Sequence, residues 1–547
     1  MADLSRDTFL DLVSRARADA ARRGKTLAVP LCERLLADQL TPVLVYRRLV
    51  SGDERTAPSF LFESVEGGER VGRYSVMGSR PLIEVTAHGH VVSVKDQRGT
   101  GRPISEREED PLLTLRRLGG DFELLRDEAI AAGGIPPTCP LGGWFGYASY
   151  DTVRYAEPEK LARAKAPEDD RKLPDMHFGL YTGVVAFDHV EKVTHIVKLA
   201  MVAPSDDPGA VYDAAISDIE RIVASVETHS KPLPAGRVPK EALGEARAMP
   251  SNMTRAQHRS MVERALEYIR AGDIFQVVLG QRFERRSTTD PFDVYRSLRA
   301  VNPSPYMVYL QAHRCILVAS SPEILCRVRH EAPEPGATKR PVVTNRPLAG
   351  TRKRGETEAQ DLALEADLLS DPKERAEHIM LVDLGRNDVG RVAESGSVEL
   401  SGVMSIERYS HVMHISSTVT GILRKGLDCW DALRAALPVG TISGAPKVRA
   451  MQIIDELEPV RRGPYGGGLG YAGLDGEMDI ALALRTIVVP TEMKTGKGPW
   501  VYHVQAAGGI VADSDIDAEY QETVNKAAAL GRAIDVAEAA FGESAKG

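Results

Sequence analysis

Strand-like and helix-like segments follow one another in runs along this chain, without strict strand–helix alternation. TPVLVYRRL (41–49) and VVAFDHVEKVTHIVKLAMVA (184–203) are β-branched and partly alternating, which predicts strands. DPGAVYDAAISDIERIVASVET (207–228) predicts an amphipathic helix. A further helix is expected to end near Gly272, before another strand. Such runs favour an α+β architecture with largely antiparallel sheets.

The length of 547 residues suits a large core and two domains. HSKPLPAGRVPKEALGEARAMPSN (229–252) is rich in proline, glycine and charge and is interpreted as a linker. We therefore divide the chain into portions 1–245 and 246–547. No fixed short repeat is present, which argues against a solenoid.

Charge and cysteine usage exclude several classes of protein. The net charge of −8 argues against a general nucleic-acid binder, which would be basic. The five cysteines are scattered without a CxxC pair, which indicates free thiols in a reducing compartment. The N-terminus lacks the apolar core of a signal peptide, and no apolar run reaches membrane-spanning length. We expect a soluble, cytoplasmic protein that binds neither nucleic acid nor a membrane.

Two segments carry glutamates three residues apart at predicted helix starts. Asp371 is a good N-cap and Pro372 suits a first turn, so Glu374 and Glu377 would share one helix face. A second pair, Glu519 and Glu522, opens a long terminal helix. A solvated face is the ordinary interpretation of one such pair, but both helices continue into apolar or small residues. If the four carboxylates converge, protonation or a cation such as Mg²⁺ must relieve their repulsion.

A turn followed by a helix (438–458) contains Thr441, Ser443 and Gly444, whose hydroxyls and amides can hold an anion, with Lys447 in reach. Arg485 lies in IALALRTIVV, which predicts a strand. A buried arginine there needs an anionic partner, either a structural carboxylate or one on a substrate.

Two further patterns carry less weight. A literal GxGxxG occurs at 468–473, but no helix pattern follows it, and the next Asp-Gly pair predicts a hairpin between two strands. It therefore does not indicate a dinucleotide site. His411 and His414 would point to opposite faces of a strand, so they do not form a joint metal pair.

Several motifs occur in an order typical of one enzyme family: GDIFQVVLGQRF, NPSPYMVYL, SSPEIL, PLAGTRKRG, AEHIMLVDLGRND, RYSHVMHISSTVTG, TISGAPKVRAM, GPYGGGLGY, ALALRT and DAEYQETVNKA. On these motifs the chain resembles the chorismate-utilising enzymes, and among them the anthranilate synthase large subunits (component I). The resemblance covers nearly the whole chain and is strongest over 255–535. It implies two stacked, largely antiparallel sheets flanked by helices, with an intertwined N-terminal regulatory portion.

The resemblance also separates branches of the family. Relatives that make aminodeoxychorismate carry a nucleophilic lysine directly before Gly-Thr, where this chain has Ala349. Relatives that make isochorismate or salicylate use a lysine to activate water, where this chain has Gln276. Glutamine is not a base near neutral pH. The two missing lysines imply a lyase of the ammonia-using, anthranilate-forming branch.

The resemblance assigns roles to individual residues. Mg²⁺ is expected on Glu377 and Glu522, with Glu374 and Glu519 close by through water, and it would bind the ring carboxylate of chorismate. The implied catalytic residues are Glu323, His414 and Thr441. The implied substrate-binding residues are Gly350, Thr351, Tyr465, Arg485, Ala507, Gly508 and Gly509. Relatives more often have glycine at the position of Ala507, so the extra methyl group is expected to narrow the pocket there.

Partners and an inhibitor are implied in the same way. The chain has no glutaminase motif, so ammonia is expected from a separate glutamine amidotransferase subunit (component II), in a heterotetramer of two large and two small subunits. Feedback inhibition by tryptophan is expected, with Phe62 at a position where relatives have leucine. The implied inhibitor-binding residues are Glu63, Ser64, Asn302, Pro305, Tyr306 and Met307.

Two alternatives stay open at this stage. One is the large subunit of an aminodeoxychorismate synthase, which Ala349 disfavours. The other is a catalytically inactive tryptophan-binding regulator, which the intact acids at Glu323, Glu377 and Glu522, together with His414, disfavour.

Overall fold

The computed structural model describes residues 3–36, 38–50, 57–63, 73–136, 139–228, 233–239, 242, 244, 246–332, 337–409 and 412–542. The strands in these ranges are numbered in chain order. They are β1 Thr26–Leu36, β2 Ser59–Glu63, β3 Tyr74–Ser79, β4 Ile83–His88, β5 Val91–Asp96, β6 Ile104–Arg107, β7 Phe122–Leu124, β8 Gly143–Ala148, β9 Met176–Tyr181, β10 Gly183–Asp188, β11 Val193–Val202, β12 Gln276–Ser287, β13 Tyr306–Ala312, β14 Cys315–Ser321, β15 Ile324–Glu331, β16 Arg340–Arg346, β17 Leu348–Lys353, β18 Glu399–Arg408, β19 Val412–Ile422, β20 Gly444–Ala445, β21 Gly468–Gly473, β22 Met478–Leu482, β23 Thr486–Pro490 and β24 Trp500–Ile510.

The α-helices are numbered in the same way. They are α1 Arg6–Arg22, α2 Pro42–Leu49, α3 Leu112–Gly119, α4 Arg126–Ala131, α5 Val153–Ala156, α6 Pro208–Val226, α7 Arg255–Arg270, α8 Pro291–Val301, α9 Glu358–Ser370, α10 Pro372–Gly390, α11 Cys429–Ala436, α12 Gly440–Ser443, α13 Lys447–Leu457 and α14 Ile516–Phe541.

The strands form two large sheets, as the α+β prediction required. The first sheet has the order β20-β12-β24-β23-β14-β13-β2-β3-β10-β11-β1-β7. The second has the order β17-β19-β16-β15-β22-β21-β8-β9-β4-β5-β6, and β18 pairs with β19. Neighbouring strands run antiparallel, except that β1 and β7 are parallel. The predicted antiparallel architecture is therefore confirmed.

The sheets stack face to face around a shared apolar core. Phe60 of the first sheet lies on Phe145 of the second, with ring centroids 3.9 Å apart. Leu317 and Leu469, again one from each sheet, are fully buried in the same cluster. Burial of aromatic and aliphatic side chains between the two faces is the main force that holds the layers together.

Both sheets mix strands from both portions of the chain. In the first sheet β2 pairs with β13, so Glu63 lies opposite Met307. In the second sheet β8 pairs with β21, so Gly146 lies opposite Gly470. A side chain at Gly470 would meet the carbonyl oxygen of Asp479 at 2.1 Å, so these glycines permit close strand packing. The N-terminal portion therefore contributes strands to the same two sheets as the C-terminal portion.

Several local predictions are confirmed. Segment 207–228 contains α6, and 184–203 forms the hairpin β10–β11. Helix α7 ends at Arg270, close to the predicted Gly272, and β12 follows it. Strands β21 and β22 form a hairpin around Asp475 and Gly476, as predicted in place of a dinucleotide site.

The strand prediction for 41–49 is wrong, because this segment is helix α2. The Thr41 hydroxyl accepts a hydrogen bond from the Leu44 amide at 3.3 Å, and Pro42 occupies the first turn. These are start signals for a helix. The helix buries Val43, Val45 and Tyr46 against the core, and this packing outweighs the preference of β-branched residues for strands.

The expected strand through Arg485 is also interrupted. Strand β22 ends at Leu482 and β23 begins at Thr486, with Arg485 between them at φ +45°. This left-handed conformation turns the chain from the second sheet into the first.

All five cysteines are free thiols, as predicted, and all five are buried. Across the described ranges, no helix combines the length and apolar character needed to cross a membrane.

Candidate active site

The two predicted acidic helix starts form as the sequence indicates. The Asp371 carboxylate accepts hydrogen bonds from the amides of Lys373 and Glu374, and it caps α10. The Asp515 carboxylate caps α14 by accepting from Ala518 at 2.8 Å. These caps fix the first turns that carry the glutamates.

Glu519 is buried whereas Glu522 is exposed, and Glu374 and Glu377 are both partly buried. Burial raises the pKa of Glu377, and the charges of Glu374 and Glu522 raise it further. Burial also raises the pKa of Glu519, as does the charge of Glu522. Glu519 and Glu377 lie nearest to the adjacent glycines Gly508 and Gly509 of β24, so the two helix starts face the same strand.

Neighbouring cations neutralise the outer members of the two pairs. Glu374 lies 3.1 Å from Arg352, and Glu522 lies 2.6 Å from Lys526. No three of the four acids, all within the described ranges, bring carboxylate oxygens within 4.8 Å of one another. The four acids are therefore not packed tightly together.

The arrangement fits a divalent cation with oxygen ligands. Oε1 of Glu519 accepts from the Ser514 hydroxyl at 2.7 Å, while its Oε2 is buried without a hydrogen-bond partner. A side chain at Gly508 would approach this Oε2 to 3.0 Å, so the glycine keeps the space before it clear. A buried carboxylate oxygen without a donor suits a cation, and the oxygen-only set suits Mg²⁺.

Gln276 lies beside the acids. Its Nε2 donates to Oε1 of Glu377 at 3.2 Å. A side chain at Gly509 would meet the same Nε2 at 2.8 Å. The strand pair β12–β24 therefore presents an amide and two glycines to the acidic region.

The basic segment 346–355 contains strand β17, with an irregularity between Ala349 and Arg352 in its pairing with β19. Gly350 has φ +65°, and a side chain there would meet Leu368 at 2.9 Å and Glu374 at 3.2 Å. The position is therefore restricted to glycine by both backbone and space.

His414 on β19 contacts this irregular strand. Its Nδ1 lies 2.8 Å from the Gly350 carbonyl oxygen and 3.1 Å from the Thr351 hydroxyl. A proton on Nδ1 satisfies the carbonyl, which leaves a lone pair on Nε2, a buried atom without a partner. Burial lowers the pKa of His414 to about 4, and the nearby charge of Arg485 acts in the same direction. The imidazole is therefore neutral at physiological pH.

Glu323 stands apart from the acidic helices. Its side chain is 2 % exposed, and Oε1 accepts a hydrogen bond from Thr441 at 2.9 Å. Burial raises its pKa to about 8, although the bonds from Thr441 and from the Leu348 amide oppose the shift. At neutral pH this group is a carboxylic acid that can give up a proton.

Comparison with known proteins identifies the family. Residues 89–532 match the model of the chorismate-binding enzymes. The chain belongs to this family. It is 52% identical to the chloroplastic anthranilate synthase alpha subunit 1 of Oryza sativa subsp. indica, over 96% of this chain and 91% of that protein. It is 45% identical to anthranilate synthase component 1 of Thermus thermophilus, over 93% and 98% of the two chains.

Solved structures of the family have the same fold. Anthranilate synthase component I from Streptococcus pneumoniae is 33% identical, with a TM-score of 0.69 over 91% of this chain and 99% of that one. A menaquinone-specific isochorismate synthase from Escherichia coli is 18% identical, with a TM-score of 0.61 over 95% and 99% of the chains. The latter likeness concerns the fold alone.

The other predicted substrate residues of this chorismate-binding enzyme lie around the same strands. Tyr465 is buried, which raises its pKa, although the charge of Arg462 and the nearby Ala507 backbone oppose the shift. Arg485 lies close enough for its charge to act on His414. Tyr465 thus lies near Ala507 of β24, and Arg485 lies near His414, which contacts Gly350 and Thr351 of β17.

The anion site predicted with Lys447 is wrong. The Lys447 ammonium forms a buried ion pair with Asp388 at 2.6 Å. The Ser443 hydroxyl donates to the Val439 carbonyl oxygen at 2.9 Å. Both groups serve the fold, because burial of an ammonium requires a paired carboxylate.

The sequence analysis did not identify Arg462, whose side chain forms hydrogen bonds with two segments of the site. Its guanidinium donates to the carbonyl oxygens of Ile442 and Val278 at 2.6 Å each, and it forms a buried ion pair with Glu458. Ile442 follows Thr441 on α12, and Val278 pairs with Gly509. The i,i+4 spacing of Glu458 and Arg462 was the only signal in the sequence, and it is common on surfaces.

The predicted inhibitor residues gather where β2 meets β13. Glu63 accepts hydrogen bonds from the Tyr295 hydroxyl at 2.6 Å and pairs with Arg299 at 2.7 Å. Asn302 ends α8, and its carbonyl oxygen accepts from Ser320. Pro305 is partly buried just before β13, which Tyr306 opens. Ser64 lies outside the described residues.

Tyr306 connects the two sheets at this place. Its hydroxyl donates to Asp479 of β22 at 2.9 Å and accepts from Arg327 of β15 at 2.7 Å. Glu323 directly precedes β15, and the Leu482 amide at the end of β22 donates to its carbonyl oxygen at 3.0 Å. Strands β15 and β22 therefore connect the hydrogen-bond partners of Tyr306 with Glu323.

Proposed function

We propose that this chain is the large subunit of an anthranilate synthase. It would aminate chorismate with ammonia and eliminate pyruvate to give anthranilate, in the first step of tryptophan biosynthesis. The observation that carries the proposal is the near-full-length similarity to chains named anthranilate synthase. The geometry of the site supports it residue by residue.

The absence of two lysines supports the choice of branch. Ala349 is buried beside Gly350, so its methyl group presents no nucleophile to the substrate. Gln276 donates to Glu377 and cannot activate water as a base. Ammonia itself would then be the attacking group.

Glu323 is the proposed acid. When ammonia adds to C2 of the ring, the C4 hydroxyl must leave, and it leaves more readily with a proton. Glu323 carries that proton at neutral pH because burial raises its pKa to about 8. The hydroxyl of Thr441 holds the carboxyl group in place.

His414 is the proposed base for the second stage. Removal of the proton from C2 expels pyruvate and gives the aromatic ring. The neutral imidazole presents a free Nε2 lone pair, because Nδ1 contacts the Gly350 carbonyl oxygen. A neutral ring is the form that can accept a proton.

Glu377 and Glu522 would hold Mg²⁺, with Glu374 and Glu519 close by through water. The ion would act as a Lewis acid and fix the ring carboxylate of chorismate. Gly350, Thr351 and the backbone of 507–509 would line the ring. Tyr465 and Arg485 would bind the enolpyruvyl carboxylate, which a guanidinium recognises through charge-assisted bonds.

The proposal includes partners and regulation. Ammonia would come from a separate glutamine amidotransferase subunit, in a heterotetramer of two large and two small chains. Tryptophan would bind at the junction of β2 and β13 and reduce activity. We place the protein in the cytoplasm, whereas the Oryza relative is named chloroplastic.

One assay tests the core of this proposal. The purified chain is incubated with chorismate and Mg²⁺, with either ammonium or glutamine as the nitrogen source. We expect anthranilate fluorescence and stoichiometric pyruvate with ammonium, and neither product with glutamine. An aminated product without pyruvate would favour an aminodeoxychorismate synthase, and no reaction with ammonium would favour a non-catalytic regulator.

A further inference from the structure

Three consecutive cations follow Thr351, and each has a different environment. The Arg354 guanidinium pairs with Asp361 of α9 at 2.8 Å, which attaches the end of this segment to a helix. Lys353 is exposed. Arg352 reaches the start of α10, where the acids of the proposed metal site lie. The proposed function assigns no role to these three residues.

The Arg352 guanidinium contacts three carboxylates at once. Its Nε donates to Asp367 at 2.7 Å, and its Nη2 donates to Asp371 at 2.9 Å. Its Nη1 donates to Oε1 of Glu374 and to the carbonyl oxygen of Thr351, at 3.1 Å each. A planar guanidinium can bond in several directions from one fixed position, which a lysine ammonium on a flexible stem cannot do. Arg352 therefore joins β17 to the end of α9 and to the start of α10.

The two oxygens of Glu374 have different environments. Oε1 is held by Arg352, whereas Oε2 is the oxygen that a side chain at Gly350 would meet, at 3.2 Å. The backbone of this turn is fixed as well. Oδ1 of Asp371 accepts hydrogen bonds from the amides of Lys373 and Glu374, while its Oδ2 accepts from Arg352. Both the backbone and the carboxylate of Glu374 are therefore held in place.

Glu377 differs from Glu374 in the charge of its partner. Glu377 accepts a hydrogen bond from the neutral amide of Gln276 at 3.2 Å, whereas Glu374 forms an ion pair with Arg352. An arginine pairing leaves a carboxylate with less uncompensated charge and with one oxygen occupied. Because Mg²⁺ is held mainly by charged oxygen ligands, Glu374 is the poorer ligand of the two.

We propose that Arg352 is a positioning residue that keeps Glu374 from binding Mg²⁺ directly, so that a coordination position stays open for the ring carboxylate of chorismate. This inference rests on the proposed function and its metal site. Mg²⁺ demands a nearly ideal octahedral shell, so each further protein carboxylate removes a position that water or substrate would take. Without Arg352, the Glu374 carboxylate is free to compete with the substrate for that position.

The proposal predicts opposite changes in two affinities. Loss of Arg352 should tighten the binding of Mg²⁺, because an uncompensated carboxylate becomes available to it. The same loss should weaken the binding of chorismate, because the carboxylate takes the position of the substrate. A purely structural defect at the start of α10 would weaken the binding of both.

Isothermal titration calorimetry of the full-length chain with Mg²⁺ measures metal binding without turnover. We expect Arg352→Met to bind Mg²⁺ about tenfold more tightly than the parent. Kinetics with ammonium should show a KM for chorismate raised several-fold. An Mg²⁺ affinity equal to or below that of the parent would overturn the role of Arg352. If the parent itself binds no Mg²⁺, the proposed metal site is wrong, which is a distinct result.

Two substitutions serve as comparisons for Arg352→Met. Lys353→Met is the matched control, because it removes the neighbouring exposed charge, and both affinities should stay within about twofold of the parent. Arg352→Lys keeps the charge but loses the planar fork. It should shift both affinities in the same directions as Arg352→Met. Parental affinities in Arg352→Lys would overturn the positioning role, since charge alone would then suffice.

Variants of Glu374 test the inference without changing Arg352. If Glu374 does not bind Mg²⁺ directly, Glu374→Gln should lose much less Mg²⁺ affinity than Glu377→Gln does. Combined with Arg352→Met, it should abolish the tightening, because the released carboxylate is gone. Equal losses in Glu374→Gln and Glu377→Gln would overturn the proposal. Thermal melts identify any variant that fails to fold, and the comparison of the two glutamate variants decides the matter even if the Arg352 variants do.

Discussion

Glu323 and Glu377 are both carboxyl groups with raised pKa values, but the causes differ. Burial alone raises the pKa of Glu323, and hydrogen bonds from Thr441 and Leu348 oppose it. The pKa of Glu377 is raised by burial and also by the charges of two acidic neighbours, Glu374 and Glu522. An isolated buried acid keeps its proton, whereas clustered acids can release theirs to a cation. The two environments therefore support two roles, a proton donor and a metal ligand.

The first prediction concerns the pH dependence of turnover. The folded-state pKa of Glu323, near 8, lies above its ordinary value, so the proton is present below that pH and lost above it. We expect kcat/KM to fall about tenfold per pH unit above pH ~8. Glu323→Gln should lose roughly 10²–10⁴-fold in kcat and should lose this alkaline limb. An unchanged limb in the variant would assign the titration to another group.

The stability of the folded protein should also decrease as pH rises through the range in which Glu323 titrates. The unfolded chain releases the Glu323 proton at a lower pH than the folded chain, so folding becomes less favourable as pH rises from the ordinary value towards about 8. Glu323→Gln removes this dependence. Thermal melts across that pH range check the slope.

The second prediction concerns the acidic helix starts. Glu377→Gln should abolish anthranilate formation at ordinary Mg²⁺, because the site loses a negative charge. The variant should melt no lower than the parent without Mg²⁺, since it removes a buried carboxyl whose ionisation is disfavoured. Activity is measured against Mg²⁺ concentration, with exposed Glu263→Gln as the control. Parental turnover at low Mg²⁺ would show that Glu377 holds no metal.

Arg462 connects helix α12 to strand β12 through hydrogen bonds to the backbone of both elements. The hydrogen bonds of its guanidinium end on the backbone of Ile442 and Val278 and on Glu458. Glu458 in turn accepts from the Gly280 amide at 2.8 Å. Loss of one partner of such a pair leaves an uncompensated buried charge.

We therefore expect Arg462→Met to destabilise the protein by about 3–5 kcal/mol, seen as a lower denaturant midpoint. Adding Glu458→Gln should recover part of this loss, because the orphaned charge is removed. The adjacent Arg461→Met, whose side chain is partly exposed, should cost about 1 kcal/mol or less. Equal losses of stability in the two arginine variants would argue against a role of Arg462 in connecting α12 to β12.

The link between the sheets gives a prediction about regulation, which rests on the proposed tryptophan inhibition. Tyr306→Phe removes the hydroxyl that joins β13 to Asp479 and Arg327. We expect turnover without tryptophan to change little and the inhibition curve to shift about fivefold or more towards higher tryptophan. Tyr212→Phe, remote from this junction, serves as the control. An unshifted curve would exclude Tyr306 from the coupling.

Elements with strong local signals could be predicted from sequence, and those decided by tertiary contacts could not. The N-cap of Asp371 and the position of Glu374 and Glu377 followed from short-range rules. Helix α2 was not predicted because its valines favour strands, whereas packing against the core determines that the segment is helical. The partner of Lys447 was missed because Asp388 lies 59 residues away in the chain.

For the whole molecule, the interleaved sheets argue against separable halves. Portion 1–245 would leave β2 and β8 without the partners β13 and β21. We predict that fragments 1–245 and 246–547 aggregate when expressed separately, because each exposes unpaired strands and an apolar face. Solubility and circular dichroism of each fragment check this. A soluble, folded 1–245 fragment that binds tryptophan would instead show an autonomous regulatory domain.

The position of β24 has a consequence for how the protein is made on the ribosome. This strand is among the last to be synthesised, yet it lies between β12 and β23 inside the first sheet. It carries Gly508 and Gly509, and α14 follows with Glu519 and Glu522. A nascent chain therefore leaves one edge of β12 and one edge of β23 without a partner strand until translation is nearly complete. A chain released before residue 519 would lack two of the four glutamates of the proposed metal site, so the proposed catalysis requires molecules that have been translated beyond Glu522.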